Sequence, residues 1–411
     1  MNFIIPDKIT LVKKNISLLV LVYLRFFARL QLAKVRFVQK LKHRQLDIVG
    51  ITGSAGKSST LSACKAVLAS SNLKIKTSEN YNSESGLPLS ILDLKIKSYH
   101  PVFWLLLIIL APIMLLINWR TYDVLLLEMG VDSASWPKNM DYLLSVVKPN
   151  IAIFLNVSLT HMMNFTSIDQ VAEQKSKLAN TASVAIINSQ DKLVKKYTTN
   201  KNIINISPTK IKFDQYFLPD IYQISFGAAL SLAQIFNINY QQAIKNIQDH
   251  FVLPPSRSSI IDGIKNTTII DSSYNSAPFA CQEFLKFLAQ FKTKKIAVLG
   301  DMRELGKITA EEHQKIYELA TKSADLIIGV GPECSKYFDD KANKFTNWWQ
   351  ASDFLKEKIT GNETILVKGS QNTIFLEELV KSILKNPSDS SKLCRQSHQW
   401  LNVKSNYRSS N

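Results

Sequence analysis

Ile48-Val49-Gly50-Ile51-Thr52-Gly53-Ser54-Ala55-Gly56-Lys57-Ser58-Ser59-Thr60 runs an apolar segment into two closely spaced glycines, a lysine and a pair of serines. The apolar part predicts a buried strand, Asp47–Thr52, and the residues after the lysine predict a helix over Thr60–Ser70. Glycines let the intervening backbone curl so that its N–H groups point inward, and the following helix N-terminus adds a partial positive charge. Phosphate is the ligand that such a loop suits. Gly53, Ser54, Ala55, Gly56, Lys57, Ser58 and Ser59 are therefore the nucleotide-binding candidates. Lys57 is placed to reach the β- and γ-phosphates of ATP, and the Ser58 hydroxyl to ligate Mg²⁺. The strict pattern, G-x-x-x-x-G-K, would need glycine at position 51, where Ile51 stands. A chance Gly-Lys-Ser turn is the alternative, and the strand–loop–helix setting argues against it.

Working outward, short continuous apolar runs alternate with helical stretches. The predicted strands are Asp47–Thr52, Val124–Glu128, Ile151–Asn156, Val184–Asn188, Thr268–Asp271, Lys295–Leu299, Leu326–Val330 and Thr364–Val367. Continuous rather than alternating apolar runs are the pattern of strands covered on both faces, so the class is α/β with parallel sheets. The expected architecture is a central P-loop parallel-sheet domain over 46–253, then a smaller Rossmann-like α/β domain over 254–386. Leu253-Pro254-Pro255 marks the boundary, because two prolines stop a helix. Residues 1–45 predict a basic helix, 102–119 an apolar insertion, and 387–411 a polar, Ser-rich, loosely ordered tail. No internal repeat is present.

Composition supports a folded chain: of 411 residues, 46% are hydrophobic and 20% charged, with only 13 Gly and 13 Pro. The net charge of +17 is uneven. Ten Lys or Arg against the single acid Asp7 give residues 1–45 a charge of +9, so the remainder is only mildly basic and no nucleic-acid partner is expected. Arg25, Arg29, Arg36, Lys40 and Arg44 recur at helical spacing beside Leu24, Phe27, Leu30, Val35 and Val38. Such a stripe suits an anionic membrane surface, while a helix packed on its own protein has the same pattern. On the membrane reading, residues 1–44 should be removable without loss of ATP binding. The uncharged run Val102–Trp119 carries Pro112 and terminal tryptophans, and predicts a hairpin or interfacial helix rather than a span. Four scattered cysteines and the lack of a secretory leader predict a cytoplasmic protein, with peripheral attachment to the inner face of the membrane.

Other residues gain meaning only together. Glu128 ends a buried strand, where a phosphate-loop protein keeps a second Mg²⁺ ligand, although a strand-end acid facing solvent is the plain alternative. Alone, His161 reads as structural and Lys175 as solvated. Asn80-Tyr81-Asn82-Ser83-Glu84-Ser85-Gly86-Leu87-Pro88 reads as a turn.

In this order the pieces resemble the Mur ligases, ATP-dependent amide-forming enzymes of peptidoglycan precursor synthesis, and among them the MurF type. The resemblance covers about residues 46–385. T-G-S-A-G-K-S-S is similar to the family's phosphate loop, and N-Y-N-S-E-S-G-L-P-L to a MurF-type motif. Glu128 falls on the magnesium Glu, Asn156 and His161 on N-x-x-x-x-H, and Lys175 on a carbamylated lysine. Asp271-Ser272-Ser273-Tyr274-Asn275-Ser276-Ala277-Pro278 matches a motif whose Asn contacts the nucleotide. Val298-Leu299-Gly300-Asp301-Met302-Arg303-Glu304-Leu305-Gly306 with His313, and Lys368-Gly369-Ser370, complete the series. What the resemblance implies is ATP, two Mg²⁺ sites (Ser58, Glu128, His161 and the carbamate of Lys175 as ligands), and catalytic roles for Lys57, His161 and Lys175. Asn275 would position the nucleotide and Arg257 would contact phosphate. The substrates would be a muropeptide precursor and D-alanyl-D-alanine, joined through an acyl phosphate. The family's N-terminal UDP-binding domain is missing from the pattern, and Lys177 stands where an acid is usual. Two alternatives stay open: a MurT-type ligase acting on a membrane-bound lipid precursor, and an inactive nucleotide-binding membrane scaffold.

Overall fold

The computed structural model describes residues 8–78, 81–95, 101–213, 218–369 and 374–410. Asn80 and Ser370 of the sequence motifs, and the first seven residues of the basic segment, lie outside the described residues. The chain forms two compact units. The first takes the chain up to Val157, Asp169–Pro208 and Ile224–Phe251; the second takes Ser158–Ile168, Thr209–Gln223 and Val252 onward.

The first unit holds β1 (Asp47–Thr52), β2 (Ile75–Thr77), β3 (Val124–Glu128), β4 (Ile151–Phe154), β5 (Val184–Ile187) and β6 (Ile203–Asn205). They form one parallel sheet in the order β2-β3-β1-β4-β5-β6. Every residue of β3 and β4 is buried, which explains why these runs carry no polar alternation. The register sets Ile51 beside Glu128 and Thr52 beside Phe154. Parallel pairing thus gathers the ends of β1, β3 and β4 at one edge, where ligand sites of open α/β sheets lie.

In the second unit are β7 (Ser259–Asp262), β8 (Thr268–Ser272), β9 (Lys295–Gly300), β10 (Leu326–Val330), β11 (Asn343–Phe345) and β12 (Thr364–Lys368). Their order is β11-β10-β9-β12-β8-β7, with only β7 antiparallel. One face is sealed by Ile269, Val298, Leu355 and Leu379, the other by Leu285, Leu288, Ile316 and Leu366. All eight predicted strands are present within one or two residues. The ones that sequence did not predict are β2, β6, β7 and β11, of which three have only three residues and none is buried throughout.

Helices of the first unit include α1 (Lys8–Leu41), α2 (Lys57–Val67), α3 (Gly86–Ile91), α4 (Pro101–Ile117), α5 (Met140–Val146) and α6 (Ile168–Thr181). Helix α2 starts at Lys57, three residues earlier than predicted, because the loop feeds directly into it. The apolar insertion is a single helix and not a hairpin. Pro112 lies inside it and has no N–H for the carbonyl of Ile108, four residues back. Tyr23 of α1 donates its hydroxyl to that carbonyl at 3.0 Å. The proline gap is thereby filled, and α1 is docked at the same point. Tyr23→Phe should cost about 1–2 kcal/mol in denaturant unfolding, the usual cost of leaving one acceptor unmet.

Helix α1 buries Leu24, Ala28, Gln31, Leu32, Val35 and Gln39. Gln39 donates to Asp123 Oδ1 at 2.9 Å, Arg44 pairs with the same carboxylate at 3.2 Å, and the Tyr142 hydroxyl of α5 reaches the Leu21 carbonyl at 3.2 Å. Residues 1–44 are therefore not a detachable arm, since one side of α1 is core. The tail is a second correction. Pro387–Lys392 form a 3₁₀ turn and His398–Ser410 a helix. Its composition is polar because few apolar contacts are used: Lys404 pairs with Glu377 at 3.0 Å and Glu378 at 2.7 Å, and the Tyr407 ring sits 5.4 Å from Phe375.

Candidate active site

Gly56 caps α2 with φ of +84°, a left-handed conformation that glycine adopts without penalty. A side chain at Gly53 would come within 3.0 Å of Leu155. The loop is also clamped from β4's side. The Asn156 side chain accepts from the Ala55 N–H at 2.8 Å and donates to the Ala55 carbonyl at 3.1 Å, while its own carbonyl accepts from the Ser54 N–H at 3.1 Å. Asn156→Ala should leave the fold intact but loosen this loop, raising the ATP KM roughly tenfold, the equivalent of one to two hydrogen bonds. Steady-state kinetics at varied ATP would show it.

Around the loop the predicted residues of the first unit converge. Lys57 Nζ donates to the Gly53 carbonyl at 2.8 Å. Ser58 Oγ donates to Glu128 Oε2 at 3.1 Å, and both residues are buried. Glu128 is held in turn by Ser78, whose Oγ accepts its N–H at 3.0 Å. Asn82 approaches the same strand end: its carbonyl accepts the Gly130 N–H at 3.0 Å.

Two adjacent hard oxygen donors are what magnesium takes. Octahedral ligands about 2.1 Å from the ion stand about 3 Å apart along an edge, and the Ser58–Glu128 separation of 3.1 Å fits that edge.

Lys175, on α6, is 2% exposed, and its Nζ stands 3.5 Å from the Gly53 carbonyl that Lys57 also uses. Burial pulls its pKa down to about 7, the Lys57 ammonium pushes the same way, and the Asp132 carboxylate opposes both. An amine in this setting spends much of its time neutral at physiological pH. Lys177, two residues on, points elsewhere and pairs with Asp141 at 2.6 Å.

His161 belongs to the second unit, as part of Ser158–Ile168, whereas Lys175 belongs to the first. The His161 Nδ1 meets Glu304 Oε2 at 2.5 Å, and the Met163 N–H reaches the Glu304 carbonyl at 3.2 Å. Glu304 is thus the orienting partner of His161, a pairing across 143 positions of sequence that spacing could not reveal. The Glu304 carboxylate lies against Nδ1 as an ion-pair contact, the kind of neighbour that orients histidines that bind metals.

Also in the second unit, Asn275 is exposed, and its Oδ1 accepts the N–H of Ser276 at 2.7 Å. The Arg257 guanidinium lies over the Tyr274 ring at 4.3 Å. Lys368 donates to the Asn275 carbonyl, tying β12 to this loop, and burial lowers its pKa to about 8. Asp301, His313 and Cys334 cluster closely enough to suggest a metal site. His313, however, accepts the Met302 N–H on Nε2 at 3.0 Å and faces the Thr309 carbonyl through Nδ1 at 2.7 Å. Both nitrogens are committed, so this histidine braces the Asp301–Gly306 loop. Sequence reasoning also missed Asn156 as a loop clamp and Asp132 as the anion nearest in effect to Lys175. Neither has a local signal, since both act through contacts made only in the fold.

A parallel sheet with a glycine–lysine loop at its edge, and a hydroxyl–carboxylate pair beside it, defines a P-loop nucleotide-binding α/β protein. Residues 108–253 match the Mur ligase middle domain and residues 256–371 the Mur ligase, glutamate ligase domain. The chain belongs to the Mur ligase family of ATP-dependent ligases. It is 26% identical over 392 residues to the UDP-N-acetylmuramoyl-tripeptide–D-alanyl-D-alanine ligase of Buchnera aphidicola subsp. Acyrthosiphon pisum, covering 86% of this chain and 79% of that one. The corresponding ligase of Bacillus subtilis is 24% identical over 397 residues, with 87% and 79% covered. In fold, it resembles the MurF ligase from Thermotoga maritima solved in complex with ADP, with a TM-score of 0.70 at 21% identity, over 88% of this chain and 83% of that one.

Proposed function

We propose that this chain is an ATP-dependent ligase of peptidoglycan precursor synthesis that joins D-alanyl-D-alanine to a UDP-N-acetylmuramoyl-tripeptide. It would act in the cytoplasm, at the inner face of the membrane. The observation that carries the reading is the Ser58–Glu128 oxygen pair, 3.1 Å apart, beside the phosphate loop. A carboxylate is a poor electrophile, so ATP first converts it to an acyl phosphate. The amine then adds to the carbonyl carbon, and phosphate leaves as the amide forms. Both partners of the first step are anions, and cations must be held against them. Lys57 would turn from the Gly53 carbonyl to the β- and γ-phosphates. Gly53, Ser54, Ala55, Gly56 and Ser59 would line the triphosphate, with the Ser54 and Ala55 N–H groups held on Asn156 to fix the loop's shape and the N–H groups at the start of α2 facing phosphate, and Ser58 and Glu128 would hold a first Mg²⁺. That ion, when bound, neutralises phosphate charge and orients the terminal phosphoryl group.

His161 and a carbamate on Lys175 would be the protein ligands of a second Mg²⁺ site. Carbamylation needs a neutral amine to attack CO₂, and a buried lysine with a pKa near 7 supplies one. The reaction replaces a cation that would repel the metal with an anion that binds it. Asn275 would position the nucleotide and Arg257 would bind phosphate, by moving off the Tyr274 ring. A lipid-linked muropeptide as the carboxylate donor is the second reading, favoured by the exposed apolar residues of α1 and α4. ADP release tested with UDP-linked against lipid-linked muropeptides, each with and without D-alanyl-D-alanine, separates the two. Turnover that needs the UDP-linked tripeptide and the dipeptide supports the first reading. Failure of both muropeptides to drive ADP release would defeat both readings.

A further inference from the structure

Helices α1 and α4 lie side by side in the first unit and run in the same direction: Tyr23 meets Ile108, and Lys34 meets Leu115. Each buries one stripe and exposes an apolar one opposite it. On α1 the exposed stripe includes Phe26, Leu30 and Phe37, spaced four and seven residues apart. On α4 it includes Ile109, Ile113 and Leu116, with Leu116 72% exposed. Single exposed apolar residues are ordinary on protein surfaces, whereas two adjoining stripes make a patch that needs a partner.

The cations decide which partner. Arg29, Arg36 and Lys40 are exposed and form the neighbouring stripe of α1, again at spacings of seven and four. At 100° per residue they flank the apolar stripe on one side, while Tyr23 and Lys34 place α4 on the other. Neither helix contains an acidic residue. A second copy seated on this face would bring arginines and lysines against arginines and lysines with no counter-charge. An anionic lipid surface supplies phosphates at the rim and hydrocarbon at the centre. Exposed Trp119, with Lys34 4.6 Å over its ring, adds an amphipathic side chain of the kind that sits at headgroup level. No helix among the described residues is long and apolar enough to cross a membrane.

We infer that the paired exposed faces of α1 and α4 are a membrane-docking surface that lies flat in the interface of an anionic bilayer. This rests on the proposed location of the protein at the membrane and names the surface responsible, while the ligase chemistry stands apart from it. Attraction has two components. The cation row contributes a salt-sensitive part that fades with ionic strength, and the apolar faces contribute a part that salt leaves in place.

Because α1 is also core, point variants of the full chain test this, not a deletion. Flotation with phosphatidylcholine vesicles, with and without phosphatidylglycerol, needs no nucleotide or muropeptide. The full chain should bind the anionic vesicles strongly at low salt, and at high salt should fall to the weak but measurable level at which it binds neutral vesicles. Arg29→Glu with Arg36→Glu and Lys40→Glu should weaken that binding roughly a hundredfold or more. Phe26→Ser with Ile113→Ser and Leu116→Ser should remove the salt-resistant part. Both variants should keep the wild-type melting temperature and ADP release. A full chain that ignores anionic vesicles overturns the inference, and so does a dimer in sedimentation velocity that the serine variant dissolves. Vesicle binding without ADP release on any muropeptide would sink the ligase reading alone. ADP release without vesicle binding would sink the docking surface alone.

Discussion

Lys57→Ala is expected to lower ATP-dependent turnover by about a hundred- to a thousandfold, the range for removing one preorganised charge or donor from a developing anion. The fold should survive. Lys57 is only half-buried, its contact is a backbone carbonyl within its own loop, and α2 does not need its side chain as a cap. ADP formation and thermal melting on the same preparation check both halves. Near-normal turnover in a folded variant would mean that the loop does not hold the reacting phosphates. A secondary effect follows from the shared Gly53 carbonyl. The Lys57 charge depresses the pKa of Lys175, so the alanine variant should titrate Lys175 at a higher pH. Burial, the larger cause, remains, and only part of the shift should reverse.

The second large effect is at Lys175, where stability and activity should move in opposite directions. In CO₂-free buffer the folded state holds this amine at a pKa of about 7, against an ordinary value of 10.5. Between those values the unfolded chain binds the proton and the folded one does not, so folding stability rises with pH. The slope is at most about 1.4 kcal/mol per pH unit. Below about pH 7 both states are protonated, and the penalty for burying the cation stays in full. Lys175→Met removes that penalty. It should melt several degrees above the parent at neutral pH, lose the Lys175 share of the pH dependence between about 7 and 10 while keeping that of buried Lys368, and release no ADP. Lys175→Ala should be equally inactive but regain part of its turnover with added short carboxylic acids, which restore an anion. Full activity of either variant would exclude the carbamate role. A parent chain whose melting temperature is flat from pH 7 to 10 would contradict the buried-amine environment itself.

The central strands were legible because burial on both faces leaves an unbroken apolar run, as in Val124–Glu128, whose every residue is buried. Edge strands such as Asn343–Phe345 were not: three half-buried residues carry no periodicity. The phosphate loop announced itself through residue types that curl a backbone and hold a charge next to it. Its clamp did not, because Asn156 acts through contacts with Ala55, 101 positions away. The same limit hid the closeness of Lys57 to Lys175 and of His161 to Glu304. Composition misled in two places. A Ser-rich tail proved to be anchored by buried ions, Arg395 and Lys404 against Glu377. A basic helix proved to be core along one side, since hydrophobic spacing says that a face is apolar and not what covers it.

The path of the chain has a practical consequence. It passes between the two units five times, and the second unit draws on Ser158–Ile168 and Thr209–Gln223 as well as on everything from Val252. A cut at the Pro254-Pro255 pair looks like a natural place to separate two halves, yet it would strip the carboxy-terminal fragment of both excursions, and Glu304 of His161 with them. Expressed alone, the amino-terminal fragment would carry all of its own unit plus two stranded excursions, while the carboxy-terminal fragment would lack part of its unit. Dissecting this protein into independent modules therefore calls for grafted or permuted chains, and a single proteolytic nick at that boundary should leave two pieces that still purify as one.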